Sequence, residues 1–178
     1  MMPRHRLARP MRLGAVLLAV LALSCLEPER RALPESTLSG RDVGVVLMLS
    51  DSAPRMGSVV SVTARLVGAP NGTPRVASYT ARVTYDTLAL RFAGELPLDD
   101  KATRVSNAVG PSVRVAGFAV GGLASADLFR LSWQVRTARG AAALDGLQLS
   151  FSELHSAQHE DLRSRLRSAG ASTGFTVR

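Results

Sequence analysis

Few side chains in this 178-residue sequence stand where they could do covalent or metal chemistry. His155 and His159 are four apart, a spacing that puts two imidazoles on one side of a helix, and Glu160 and Asp161 follow. A zinc site needs further ligands, and the pattern His-Glu-x-x-His is absent, so the stretch reads as an exposed polar turn. Asp51, Asp99 and Asp100 could offer oxygens to calcium, but they lack a glycine-centred ladder of acids and read as solvated turn residues. Asp86 reads as the cap of the turn after its strand. No serine lies in Gly-x-Ser-x-Gly, and Gly121-Gly122 do not open a helix after a strand. No spacing selects a pair of carboxylates. The sequence assigns no catalytic residue, no metal ligand and no cofactor, and an enzyme is not expected.

The one cysteine is placed differently. Residues 1–14 carry Arg4, Arg6, Arg9 and Arg12 without an acid, and an apolar run, Ala15 to Leu23, follows. A charged start, a short apolar run and small residues at the cut define a secretory signal. The run is nine residues, against about 20 for a spanning helix. Its ending, Leu21-Ala22-Leu23-Ser24-Cys25, resembles a bacterial lipobox, in which the cysteine becomes the lipidated N-terminus. Residues 1–24 are therefore expected to be a lipoprotein signal peptide, with Cys25 the lipidation site. Leu26, rather than Asp, follows the cysteine, which resembles lipoproteins sorted to the outer membrane. Met11 is a plausible alternative start.

Removing the leader lowers the charge. The whole chain has 22 basic and 14 acidic residues, a net of +8; four of the arginines leave with residues 1–24, so the mature net is +4. The basic residues are scattered singly, which is a solubility charge and not a nucleic-acid footprint. With one cysteine there is no disulfide framework.

The elements that must position any site are strands. Residues 25–41, with two prolines and mixed charges, read as a tether. From Asp42 the pattern turns to period two. Val60, Val62, Ala64 and Leu66 alternate with polar residues, as do Tyr79, Ala81, Val83 and Tyr85; Leu88, Leu90 and Phe92; Phe129, Leu131, Trp133 and Val135; and Leu147, Leu149 and Phe151. Such segments are half-buried antiparallel strands. Val43–Leu49 and Val113–Val120 are more evenly apolar and read as strands covered on both sides or central. Turn residues at Pro54, Asn71-Gly72, Asp99-Asp100, Gly110-Pro111 and Gly146 separate them. Many short strands at this spacing predict a β-sandwich. His155 to Ala169 breaks the rhythm, with Leu154, Leu162 and Leu166 at multiples of four, acids early and arginines late. It reads as a short helical insertion before a last strand near 173–178.

The order of these motifs resembles a cohesin domain, over residues 42–178. The resemblance lies in the Val-rich strand Met56 to Leu66, the strand Tyr79 to Tyr85 followed by Asp86 and Leu88, the run Val113 to Gly117, and the strand after Asp127-Leu128. It implies an all-β jelly-roll β-sandwich of about nine strands, related to cellulose-binding modules. It also implies a non-enzymatic protein–protein function, since cohesins bind dockerins through one flat sheet face. Carried over, the outward residues Ser78, Thr80, Arg82 and Thr84 would lie on that face. The alternative from the same kinship is a carbohydrate-binding module associated with polysaccharide degradation. That reading needs exposed aromatics, and the phases of Trp133, Tyr79 and Tyr85 place them inward. The expected location is the cell envelope, by the lipid anchor.

Overall fold

The computed structural model describes Leu38, residues 40–68 and residues 73–167. Cys25, most of the tether and the strand expected near 173–178 lie outside the described residues.

Eight strands form: β1 (Val43–Leu49), β2 (Val59–Gly68), β3 (Val76–Thr84), β4 (Leu90–Leu96), β5 (Thr103–Val109), β6 (Ser112–Phe118), β7 (Asp127–Val135) and β8 (Gln148–Ser156). One six-residue helix, α1 (Gly140–Asp145), joins β7 to β8, and a 3-10 turn spans Leu162–Arg165. The strands make two antiparallel sheets, in the orders β1-β2-β7-β4 and β5-β6-β3-β8. The fold is the expected β-sandwich. Its core is the set of inward side chains from both sheets: Val60, Val62, Leu66, Phe129, Leu131 and Trp133 from the first face Tyr79, Ala81, Val83, Val113, Val115 and Leu149 from the second, and all are almost wholly buried. At about 25 cal/mol per Å2 of apolar surface removed from water, each large side chain here stabilises the fold by roughly 1.5–3 kcal/mol.

Several expectations are corrected. Val43–Leu49 is buried on both sides at its start but is an edge strand. Leu38 lies over it, with Cδ1 3.7 Å from the position of a Cβ on Gly44. Val113–Val120 yields a central strand, β6 between β5 and β3, as one of the two readings had it, but it is not covered on both sides: Val113, Val115 and Gly117 point in, while Arg114, Ala116 and Phe118 point out. An apolar outward face reads in sequence like a second buried face. Leu88 is not part of β4; it is 80% exposed in the preceding turn, and Leu90 begins the strand. Strand β5 was not expected, because its inward phase carries Arg104 and Ser106 while Val105 and Val109 face solvent.

Of the helical insertion expected over 155–169, the described part forms one 3-10 turn, Leu162–Arg165, and no α-helix. His155 and Ser156 end β8, and His159 takes a positive φ of 62° that no helix continues through. The Ser156 hydroxyl accepts from the amides of Gln158 and Glu160, and the Asp161 carboxylate accepts from the amide of Arg163. These local bonds compete with helix formation. Leu154, Leu162 and Leu166 are buried as their spacing suggested, but from a strand, a turn and a bridge. At that bridge Leu166 lies parallel to Val43, and the amide of Arg167 donates to the Val43 carbonyl at 2.9 Å.

Candidate binding face

The outer face of the sheet β5-β6-β3-β8 holds the residues the sequence singled out. Antiparallel register fixes four rows across it. They are Thr103, Phe118, Ser78 and His155; then Val105, Ala116, Thr80 and Glu153; then Asn107, Arg114, Arg82 and Ser150; then Val109, Ser112, Thr84 and Gln148. Ser78, Thr80, Arg82 and Thr84 thus lie along β3 on one outward line, as the alternation demanded. The neighbouring strands supply what the sequence reading missed. Phe118 is 55% exposed, Val105 64% and Val109 58%, so the large exposed apolar residues of the face lie on β5 and β6, among Thr103, Asn107, Ser112 and Arg114, and the β3-β8 half is polar. The apolar content of Val113–Val120 carried no signal that separates the β5-β6 half from a second buried face.

A bulge shapes the centre. Thr80 pairs with Glu153 and Ala81 with Phe151, which leaves Ser152 as an extra residue in β8. Its hydroxyl donates to the Thr80 carbonyl at 3.3 Å. Bulges bend a strand and re-aim its side chains. Here the bend opens a depression of about 480 Å3 lined by Thr80, Arg82, Arg114, Ser150, Phe151 and Ser152. It also shifts the inward phase of β8, so that Leu149 and Leu154 are buried and Phe151 is only half-buried.

The charges on this face are set by register. Arg82 stands directly opposite Arg114, both are exposed, and neither makes an ion pair among the described residues. Like charges directly opposite in a sheet repel. Arg163, at the edge of the depression, is different. It is held by the Asp161 carboxylate at 2.7 Å while its other nitrogen donates to the Ser152 carbonyl at 2.6 Å. The hydrogen bonds from Arg163 lower the Asp161 carboxyl to about 2.

On the outer face of the other sheet two of the arginines are engaged, while Arg91 and Val59 are exposed. Arg65 pairs with Asp127 at 2.6 Å, and Arg130 donates to the Thr63 hydroxyl at 3.1 Å. Thr63 and Ser132 are nearly buried there.

The candidates for chemistry fall as follows. Among the described residues no group of three His, Cys, Asp or Glu side chains could hold a metal ion. Asp86 accepts from the Leu88 amide at 2.8 Å, the expected turn cap. Asp51 accepts from the Ala53 amide in the same way. Asp100 is not a solvated turn residue: it forms a two-pronged ion pair with Arg104, at 2.5 and 2.6 Å, with both side chains almost wholly buried. Hydrogen bonding from Arg104 holds the Asp100 carboxyl below its usual range. Trp133, Tyr79 and Phe129 are core residues, and Tyr85 and Phe92 pack on Trp133 with ring centroids 4.6 and 5.4 Å away. Burial pushes the Tyr79 phenol up, and its hydroxyl donates to the Leu128 carbonyl.

No family model matches the sequence, and no curated protein matches it. Solved structures do share its fold. The cohesin module of a family 33 glycoside hydrolase from Clostridium perfringens superposes with a TM-score of 0.51 at 12% identity, over 72% of this chain and 99% of that one. The type II cohesin dyad of the adaptor ScaA scaffoldin of Acetivibrio cellulolyticus gives 0.50 at 9% identity, over 74% of this chain and 48% of the dyad. CaCohA2, solved in complex with CaDoc0917, gives 0.50 at 15% identity, over 76% and 99% of the two chains. The chain has the fold of a cohesin β-sandwich, and at these identities the likeness is one of fold.

Proposed function

We propose that this protein is a non-catalytic recognition module of the cell envelope, which docks another protein on the outer face of the sheet β5-β6-β3-β8. Residues 1–24 act as a signal peptide, residues 25–41 form a tether lipidated at Cys25, and residues 42–178 are the cohesin-like domain. The partner is a dockerin-like or other envelope protein. One observation carries the choice of face: this sheet sets the exposed apolar side chains Phe118, Val105 and Val109 beside Arg82 and Arg114, which stand opposite each other and have no acid partner among the described residues. An apolar centre beside hydrogen-bonding groups is the composition of a protein interface. CaCohA2, which shares the fold, was solved bound to CaDoc0917.

Magnitude sets a further condition. Four strands at about 4.8 Å and seven residues at about 3.4 Å give a plate roughly 20 Å on a side, or about 400 Å2. A standard interface buries about 800 Å2 per partner, so loops at the ends of the plate must join in. Val120, 89% exposed in the turn after β6, is placed to do so.

The test is co-purification from envelope extracts with the intact chain and with Phe118→Asp. A protein retained by the first and lost by the second supports the reading. A protein retained equally by both removes the face from it.

A further inference from the structure

Resting on that docking face, we infer that its partner is acidic: a protein segment that sets one or two carboxylates into the depression between Arg82 and Arg114, with an apolar side chain against Phe118, Val105 and Ala116. The first ground is the arginine pair. Register forces the two guanidinium-bearing side chains together, and the described residues supply no carboxylate to either. Among the described strand pairings theirs is the one place where two arginines stand directly opposite each other. A carboxylate between two guanidinium groups relieves their repulsion and gains charge-assisted, bidentate hydrogen bonds.

The second ground is the shape and lining of the depression. Its walls carry donors that a carboxylate takes, the two arginines and the Ser150 hydroxyl, and its volume of about 480 Å3 admits side chains; the Thr80 and Ser152 hydroxyls already donate to the Glu153 carboxylate and the Thr80 carbonyl. The one acid on the same face, Glu153, accepts from the Thr80 hydroxyl at 3.2 Å and belongs to the adjoining row.

The third ground selects protein over a polyanion. Nucleic acids and acidic polysaccharides are held by strings of cations that follow a repeating charge. Here two open arginines adjoin three exposed apolar side chains in neighbouring rows. That mixture suits a folded or helical segment with an apolar anchor flanked by acids.

The test selects binders to the full chain, solubilised in detergent, from a displayed library of two-helix peptides with one randomised face. Clones that lose binding to the Phe118→Asp chain define ligands of the plate. The proposal expects these clones to be rich in Asp and Glu. It expects their affinity to fall roughly tenfold or more with Arg82→Glu or Arg114→Glu, and to fall as salt rises. Both arginines are exposed, so these variants fold; thermal melts check this, and Arg82→Gln with Arg114→Gln serves as the milder second variant. Plate ligands that are neutral or basic, and indifferent to the arginine variants, overturn the acidic partner but leave the docking face standing. A selection that yields no clone sensitive to Phe118→Asp overturns the docking face itself. Binding of polygalacturonate that depends on the arginines but not on Phe118 assigns the site to an anionic polymer and overturns the proposal.

Discussion

Gly117 on β6 lies directly opposite Tyr79 on β3, and a Cβ at Gly117 would come within 2.3 Å of the tyrosine ring. The ring cannot retreat, since it is buried against Phe129 and its hydroxyl is bonded to the Leu128 carbonyl. This is why a glycine interrupts the apolar phase of β6. It is also what lets Arg114, Ala116 and Phe118 keep their outward register two positions at a time.

Gly117→Ala should therefore destabilise the domain by about 1–3 kcal/mol, the usual cost of overpacking. Tyr79→Phe should cost about 1 kcal/mol for the lost hydrogen bond. Tyr79→Leu vacates the space that a methyl at position 117 needs, so the double variant with Gly117→Ala should be less unstable than the two losses added. Denaturant titration of the four proteins checks this; simple additivity would show that the contact is not the constraint.

The buried pair Asp100–Arg104 gives a pH prediction. The folded carboxyl lies below its ordinary value of 3.8, so its contribution is present above that value and disappears as pH falls through the folded pKa. Acid titration of stability should show a loss beginning below about pH 4. Asp100→Asn should remove part of that slope. It should also cost about 3 kcal/mol or more at neutral pH by stranding Arg104, whose remaining bond is to the Leu128 carbonyl. A variant as stable as the parent at pH 7 would contradict the role given to the pair.

Cys25→Ala tests the anchor apart from the fold. The expected outcome is a chain that leaves the membrane fraction while keeping its thermal transition, since lipid chains contribute roughly 0.8 kcal/mol of membrane affinity per buried methylene. Retention of the variant in membranes would count against lipidation there.

Much of the architecture was legible because alternation is a direct record of which face each residue takes. The inward lines of β2, β3 and β7 in the structure are those of the pattern: Val60 to Leu66, Tyr79 to Val83, and Phe129 to Val135. The outward line Ser78 to Thr84 followed from the same parity. The rest depended on contacts that a pattern does not carry. Arg104 was invisible as an inward residue because its neutralising partner comes from the preceding turn. Phe118 and Val105 were unreadable as an exposed patch because apolar residues outside and inside look alike in sequence. Ser152 shifts the phase of β8 by one, which puts Leu154 inward, and Leu154 then stands at a helical spacing from Leu162 and Leu166 although the three come from a strand, a turn and a bridge.

The most direct measurement is site-specific photo-crosslinking in intact cells. A photoreactive residue is placed at Phe118 or Val105 on the proposed face, and at Val59, which is 62% exposed on the opposite sheet. The account predicts one discrete crosslinked protein from positions 118 and 105, weakened by Arg82→Glu, and none from position 59. Crosslinks that form from position 59 and not from 118 or 105 would contradict it.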